Sequence, residues 1–163
     1  MSLPKLTRRR AWLGIGLGSF ALALSSLILT PLLGLNACYL CVFQRFVFML
    51  VGVFGLLAST GRFERGFGAV VLALTALGAG AAGHQSWLQA QPEGSVSCVG
   101  GEPNLIERLS YFLAEAMPSL FNVTGFCADE ELVILGLSLA NWALVAFCAS
   151  FVVGAWALFS RRS

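Results

Sequence analysis

The stretch AWLGIGLGSFALALSSLILTP, residues 11–31, decides the architecture of this chain. It holds no charged residue, and its 21 residues exceed the ~7–15 of the apolar core of a cleavable leader and match the ~20 a helix needs to cross a bilayer. Its flanks imitate other signals. Arg8-Arg9-Arg10 is similar to a twin-arginine leader, and Leu35-Asn36-Ala37-Cys38 to a lipoprotein cleavage box. Either would leave a soluble or lipid-anchored protein outside the cell. The length of the run argues against both, and so do the three apolar runs downstream.

Those runs are bounded by gaps in charge. No Asp, Glu, Lys or Arg occurs between Arg10 and Arg45, between Arg45 and Arg62, between Gly66 and Pro92, or from Leu132 to Ser160. Spanning helices are expected over 11–31, 41–60, 66–87 and 137–159, joined by outer loops 32–40 and 88–136. With 58% apolar residues, 11% charged and a mean hydropathy of +0.83, a soluble bundle is excluded, because these segments lack polar faces. The fold class is all-α: one polytopic four-helix membrane domain over 1–163.

The basic residues orient it. Lys5, Arg8, Arg9, Arg10, Arg62, Arg65, Arg161 and Arg162, eight of the ten, fall on one side, which the positive-inside rule makes cytoplasmic along with both termini. The net charge of +2 therefore reflects topology and not affinity for nucleic acid. Cys38, Cys41, Cys98 and Cys127 then face an oxidising exterior where disulfides persist. Of three possible connectivities, 38–41 with 98–127 keeps each bond within one loop. Cys148, inside the fourth span, reads as a small buried hydrophobe.

The second outer loop is long, which usually marks function. Its first part, 92–103, is rich in Gly, Ser and Pro and is expected to be mobile around Cys98. Asn104 and Glu107 then form a capping-box variant. Leu105, Ile106, Leu109, Phe112, Leu113, Ala116 and Met117 follow at helical spacing up to Pro118. That helix is too short to span and is expected to lie laterally in the outer interface, the alternative being a helix packed on a small extramembrane core.

The chemistry concentrates at Cys38-Tyr39-Leu40-Cys41 and the following Gln44-Arg45. A structural disulfide closing so small a loop adds little stability. A zinc site needs all four outer cysteines in one place. Covalent haem requires His at position 42, which is Val. A redox pair fits better, since Cys41 opens a helix whose unpaired amides favour a thiolate and Arg45 follows one turn later. Arginine in a span is costly unless it snorkels or serves a site. His84, the only histidine, sits near the outer end of the third span at a depth similar to that of Arg45. It is either a structural residue or a second group at one site. Electrons leaving these thiols have no flavin, haem or nucleotide motif to enter, which leaves a lipid-soluble quinone as acceptor.

Taken together, the CxxC-x-x-Gln-Arg string, the four spans, the Cys98…Cys127 pair flanking a lateral helix, and Gly136-Leu137-Ser138-Leu139 with Trp142 resemble the DsbB family of thiol:quinone oxidoreductases. The resemblance implies an inner-membrane enzyme that reoxidises a DsbA-like periplasmic dithiol oxidase and reduces ubiquinone or menaquinone. It implies that the partner attacks Cys98, that released Cys127 attacks Cys38, and that Cys41, assisted by Arg45, faces the quinone, with His84 near the quinone region. No metal is implied. The energetics agree: reoxidising a partner near about −120 mV with a dithiol near about −270 mV is uphill by roughly 7 kcal/mol, so a strongly oxidising terminal acceptor is required. A vitamin-K-type reductase running in reverse carries its CxxC in the last span, and a metal-handling protein would hold four reduced thiols.

Overall fold

Helix caps and long apolar runs set the frame of the computed structural model, which describes residues 7–91, 104–125, 127 and 132–160. Among the described residues four helices are long and apolar enough to cross a membrane: α1 (Arg8–Leu32), α2 (Tyr39–Ser59), α3 (Glu64–Gln89) and, after two short helices and a hairpin, α6 (Leu139–Phe159). Between α3 and α6 lie α4 (Leu105–Ala116), α5 (Pro118–Phe121) and the strands β1 (Val133–Ile134) and β2 (Leu137–Ser138). The expected spans and the observed helices differ at their ends by a few residues, and caps set the starts of α1, α2 and α6. Thr7 Oγ1 accepts from Arg10 N–H at 3.4 Å, so α1 starts ahead of the apolar run. Pro31 does not stop it; α1 ends one residue later, where Gly34 N–H bonds Pro31 O and Leu35 N–H bonds Thr30 O, the double closure of a Schellman turn.

The helices form a ring in which α1 packs on α2, α2 on α3, α3 on α6 and α6 on α1. Small residues permit the closest crossing: a Cβ on Gly55 would meet the Cα of Gly16 at 3.1 Å, so α1 and α2 touch backbone to backbone. Phe48 and Phe147 stack with centroids 3.9 Å apart and tie α2 to α6. One end of the bundle is closed by Glu64, which accepts from Trp12 Nε1 and pairs with Arg8 Nε, both at 3.1 Å, while Arg8 Nε also reaches Ala157 O at 2.7 Å. Arg8, Arg9, Arg10, Arg62 and Arg65 all lie toward that end, and Cys38 and Cys41 toward the other.

Two features depart from the sequence expectation. Residues 137 and 138 do not begin the fourth helix but pair with 133 and 134 in an antiparallel hairpin, with Leu135 and Gly136 both at positive φ as a type I′ turn requires. Ser138 then caps α6 by accepting from Asn141 N–H. The second is Cys148, which is exposed on the outside of the bundle and not buried. Because α6 is apolar all round, its sequence does not distinguish burial against protein from burial in lipid.

Candidate active site

The site is assembled where the first turn of α2 meets the chain that follows α5. Cys38 is the N-cap of α2: its Sγ accepts from Cys41 N–H at 3.4 Å and stands 3.3 Å from Cys41 Sγ. Two residues between the cysteines place both sulfurs on one side of that turn. A third sulfur arrives from far along the chain. Cys127 is buried in hydrogen-bonding contact with Cys38. It is brought there by the backbone, since Thr124 N–H and Gly125 N–H both donate to Ala37 O, at 2.9 and 3.2 Å. Gly125 is required for this docking, because a Cβ there would meet Asn36 Cβ at 2.8 Å and press on the Asn36 carbonyl oxygen. Phe121 anchors the segment in a small cluster with Ala37, Val42 and Leu113.

This packing determines the protonation of Cys38. Its thiol is pushed up to about 12, first by the hydrogen bond with Cys127 and further by burial, against the lowering influence of Cys41. At neutral pH Cys38 therefore holds its proton and is a poor nucleophile.

Arg45 lies one helical turn below Cys41 and is 5% exposed. Its guanidinium bonds neutral oxygens only: Ser26 Oγ at 3.0 Å and Thr30 Oγ1 at 2.9 Å from Nη2, and Leu120 O at 2.6 Å from Nη1. Among the described residues no carboxylate pairs with it. The positive charge is thus held in place without being neutralised, a setting suited to an anion forming nearby. The Leu120 contact also links Arg45 to the segment that carries Cys127.

A second polar group is built from amides. Gln44 Nε2 donates to Gln85 Oε1 at 2.8 Å, and Gln85 Nε2 points to Cys41 Sγ at 3.1 Å and Cys38 Sγ at 3.5 Å. Cys38, Cys41, Gln44, Arg45 and Gln85 share a cavity of about 520 Å³ whose other walls are mainly apolar and drawn mostly from α1 and α6, among them Leu29, Trp142 and Ala146. Its size and its balance of apolar wall with few convergent polar groups suit a small apolar ligand.

Of the residues singled out in the sequence, the structure brings Cys38, Cys41, Arg45 and Cys127 together. Cys98 lies outside the described residues, as does the loop around it. His84 is not brought to the site: it is exposed on the outer face of α3 and stacks on Trp87 at 5.9 Å. The reason is rotation, since one residue along a helix turns the side chain by about 100°. Gln85, the next residue, takes the inward position. Gln85, Ser26 and Thr30 are the contributors that sequence reasoning missed. Their signal was present as polar residues on the buried faces of apolar helices. Helix α4 caps on Asn104 and packs Ile106, Leu109 and Leu113 inward, with Ser110 Oγ donating to Tyr39 O at 3.0 Å. Leu105 and Phe112, from the same apolar stripe, remain exposed.

Comparison with known proteins follows the same lines. The family model for disulfide bond formation protein DsbB matches residues 8–157. The chain is 40% identical over 157 residues to disulfide bond formation protein B of Dechloromonas aromatica (strain RCB), covering 94% of this chain and 93% of that protein. It is 34% identical over 166 residues to the protein of the same name from Azoarcus sp. (strain BH72), covering 99% and 98%. With disulfide bond formation protein B 1 of Pseudomonas fluorescens (strain Pf0-1), identity is 38% over 149 residues, covering 88% and 85%.

Proposed function

The chain belongs to the DsbB family of disulfide bond formation proteins, and from that premise we propose that it is a thiol:quinone oxidoreductase of the bacterial inner membrane. In this reading it reoxidises a DsbA-like periplasmic dithiol oxidase and passes the electrons through two disulfides to ubiquinone or menaquinone. In this reading its redox end faces the periplasm and both termini the cytoplasm, which the arginines gathered at the opposite end support by the positive-inside rule. Helix α4 lies in the outer interface, with Leu105 and Phe112 toward the lipid.

One observation carries the reading: Cys38 has Cys127 on one side and Cys41 on the other, and Cys41 shares an apolar cavity with an unneutralised arginine. In the proposed cycle a partner thiolate attacks Cys98, breaks the 98–127 bond and releases Cys127. The partner's second thiol displaces Cys98 and leaves oxidised. Cys127 attacks Cys38, which breaks the 38–41 bond and frees Cys41. Cys98 then attacks Cys127, restoring 98–127 and leaving Cys38 and Cys41 as a dithiol. A quinone bound in the cavity supplies the sink for two electrons and two protons as that dithiol returns to its disulfide. Arg45 holds negative charge at Cys41 and on the oxygen of the acceptor, while the apolar walls exclude water. His84 receives no part in this scheme.

The test is reoxidation of a reduced DsbA-like protein by the purified chain with ubiquinone, following quinol and partner disulfide together. One quinol per disulfide is expected. Absence of quinol, with quinol-driven reduction of the partner instead, would overturn the proposed direction in favour of a reductase.

A further inference from the structure

The amide pair on α2 and α3 has a directionality that helix packing alone does not require. Gln44 and Gln85 are both buried, and each amide can bond through either its oxygen or its nitrogen. A thiolate only accepts, so an amide that supports one must present its NH₂. The Gln85 NH₂ faces the sulfurs because Gln44 Nε2 occupies Gln85 Oε1 from the other side. We propose that Gln85 is the donor that stabilises Cys41 as a thiolate, and that Gln44 is a positioning residue that fixes which end of the Gln85 amide reaches the sulfur. The inference rests on the reading above, in which Cys41 is the sulfur that faces the acceptor, and deepens it.

The surroundings make the amide distinctive. Among the described residues, the titratable or charged groups that act on Cys41 are Cys38 at its own helix end and Arg45 one turn below, while Cys127 acts on Cys38. Glu107 of α4 acts on Tyr39 and not on Cys41. From α1 and α6 the cavity receives neutral side chains, and from α3 it receives Gln85 and Gln89. Gln85 is therefore the one hydrogen-bond donor to Cys41 Sγ, among the described residues, that belongs to neither the cysteine pair nor α2. Being an amide, it donates unchanged across the whole physiological pH range.

The experiment uses the full chain with Cys38, Cys98, Cys127 and Cys148 changed to Ser, so that Cys41 is the sole thiol, and measures its alkylation by iodoacetamide as a function of pH. A hydrogen bond to a charged group is worth more than a neutral one, and its loss moves a titration by about one pH unit, or tenfold. Gln85→Met, similar in size but without a donor, is expected to raise the midpoint of alkylation by about that amount while the rate at high pH stays the same. Gln44→Met removes the same Gln44–Gln85 bond yet leaves Gln85 able to donate, so a smaller rise of about threefold is expected. Ser86→Ala, whose hydroxyl bonds Ala82 O, should leave the midpoint in place. If the pair serves only to join α2 and α3, both Met variants lose stability equally and neither moves the midpoint, which overturns the proposal. Should Gln85→Met fail to fold, Gln44→Met decides alone, and an unmoved midpoint there overturns it too. The measurement needs neither quinone nor partner, so a shifted midpoint in a protein that reduces no quinone sinks the proposed function and leaves the role of Gln85 standing.

Discussion

Gly125→Ala separates the two halves of the proposed relay. The segment carrying Cys127 is held against Cys38 by two hydrogen bonds to Ala37 O, and Gly125 lies so close to Asn36 that a methyl group would meet Asn36 Cβ at 2.8 Å and its carbonyl carbon at 2.9 Å. Those neighbours are mainly backbone, which cannot rotate aside as a flexible side chain does. Relief requires the segment to lift, breaking both hydrogen bonds at ~1 kcal/mol each, together with part of the contact Phe121 makes below. A loss of about 2–3 kcal/mol lowers the docked population by roughly 30- to 150-fold. Stopped-flow reoxidation of a reduced DsbA-like partner should slow by a similar factor. Oxidation by quinone of the chemically reduced Cys38–Cys41 pair should fall far less, since Gln85 stays at Cys41 and Arg45 keeps its bonds to Ser26 and Thr30 even as its Leu120 contact loosens. Partner turnover that matches wild type would refute the claim that the docked segment is the route by which Cys127 reaches Cys38.

Further outcomes follow from the same geometry. Arg45→Ala should cost at least tenfold in kcat/KM for quinone with little effect on capture of the partner, and Arg45→Lys should recover only part of it, because one ammonium cannot hold Ser26, Thr30 and Leu120 together; steady-state kinetics with quinone varied will show it. His84→Ala should leave quinone kinetics within about twofold, and a loss comparable to that of Arg45→Ala would mean that α3 turns its other face to the site. Because the Cys38 thiol is raised to about 12 from 9.0, the fold binds that proton more tightly than the unfolded chain does. The fully reduced protein should then keep this stability below pH 9 and lose it progressively toward pH 12; thermal unfolding against pH will show the decline, and Cys127→Ala should weaken it.

What the sequence disclosed and what it withheld divide along physical lines. Transmembrane helices follow from length and apolarity, which are local properties, so four of them were legible before any coordinates. The Cys38-Cys41 pair and Arg45 were legible for the same reason, because helical spacing alone puts 41 and 45 on one face. Choosing Gln85 over His84 depended on the rotation of α3. The buried positions Gly68, Val71, Thr75, Gly78, Ala82, Gln85 and Leu88 step by three and four, so the buried stripe that runs along α3 passes through Gln85. A lone histidine drew attention by its chemistry where periodicity was the better guide. The docking of Thr124 and Gly125 on Ala37 was not legible, since it joins distant segments through backbone atoms that carry no residue-specific signal. Ser26 and Thr30 were visible as polar residues one turn apart, but their purpose depends on an arginine from another helix.

The direction of the proposed relay is supported by how protons and donors are distributed over three sulfurs. Disulfide exchange is fastest when the attacking sulfur is a thiolate and the departing one is a good leaving group. As a thiol Cys38 holds its proton firmly and is badly suited to attack, and when joined to Cys41 it is the sulfur of that pair which lies against Cys127. Cys41 is the leaving sulfur with support: Gln85 Nε2 lies 3.1 Å away and the Arg45 charge is within reach. Once Cys38 is bonded to Cys127, the sulfur–sulfur hydrogen bond that keeps a proton between Cys38 and Cys41 is gone, and Cys41, released as a thiolate, retains the amide and the guanidinium as support. The proposed transfer from Cys127 to Cys38 would thus create the Cys41 thiolate beside the cavity one step before the Cys38–Cys41 dithiol gives up its electrons. A protein trapped as the 38–127 disulfide, for instance by Cys98→Ser, should show Cys41 alkylating faster at pH 7 than in the fully reduced protein. Slower alkylation in the trapped form would mean that Cys41 relies on Cys38 for its reactivity, and the relay as drawn would fail.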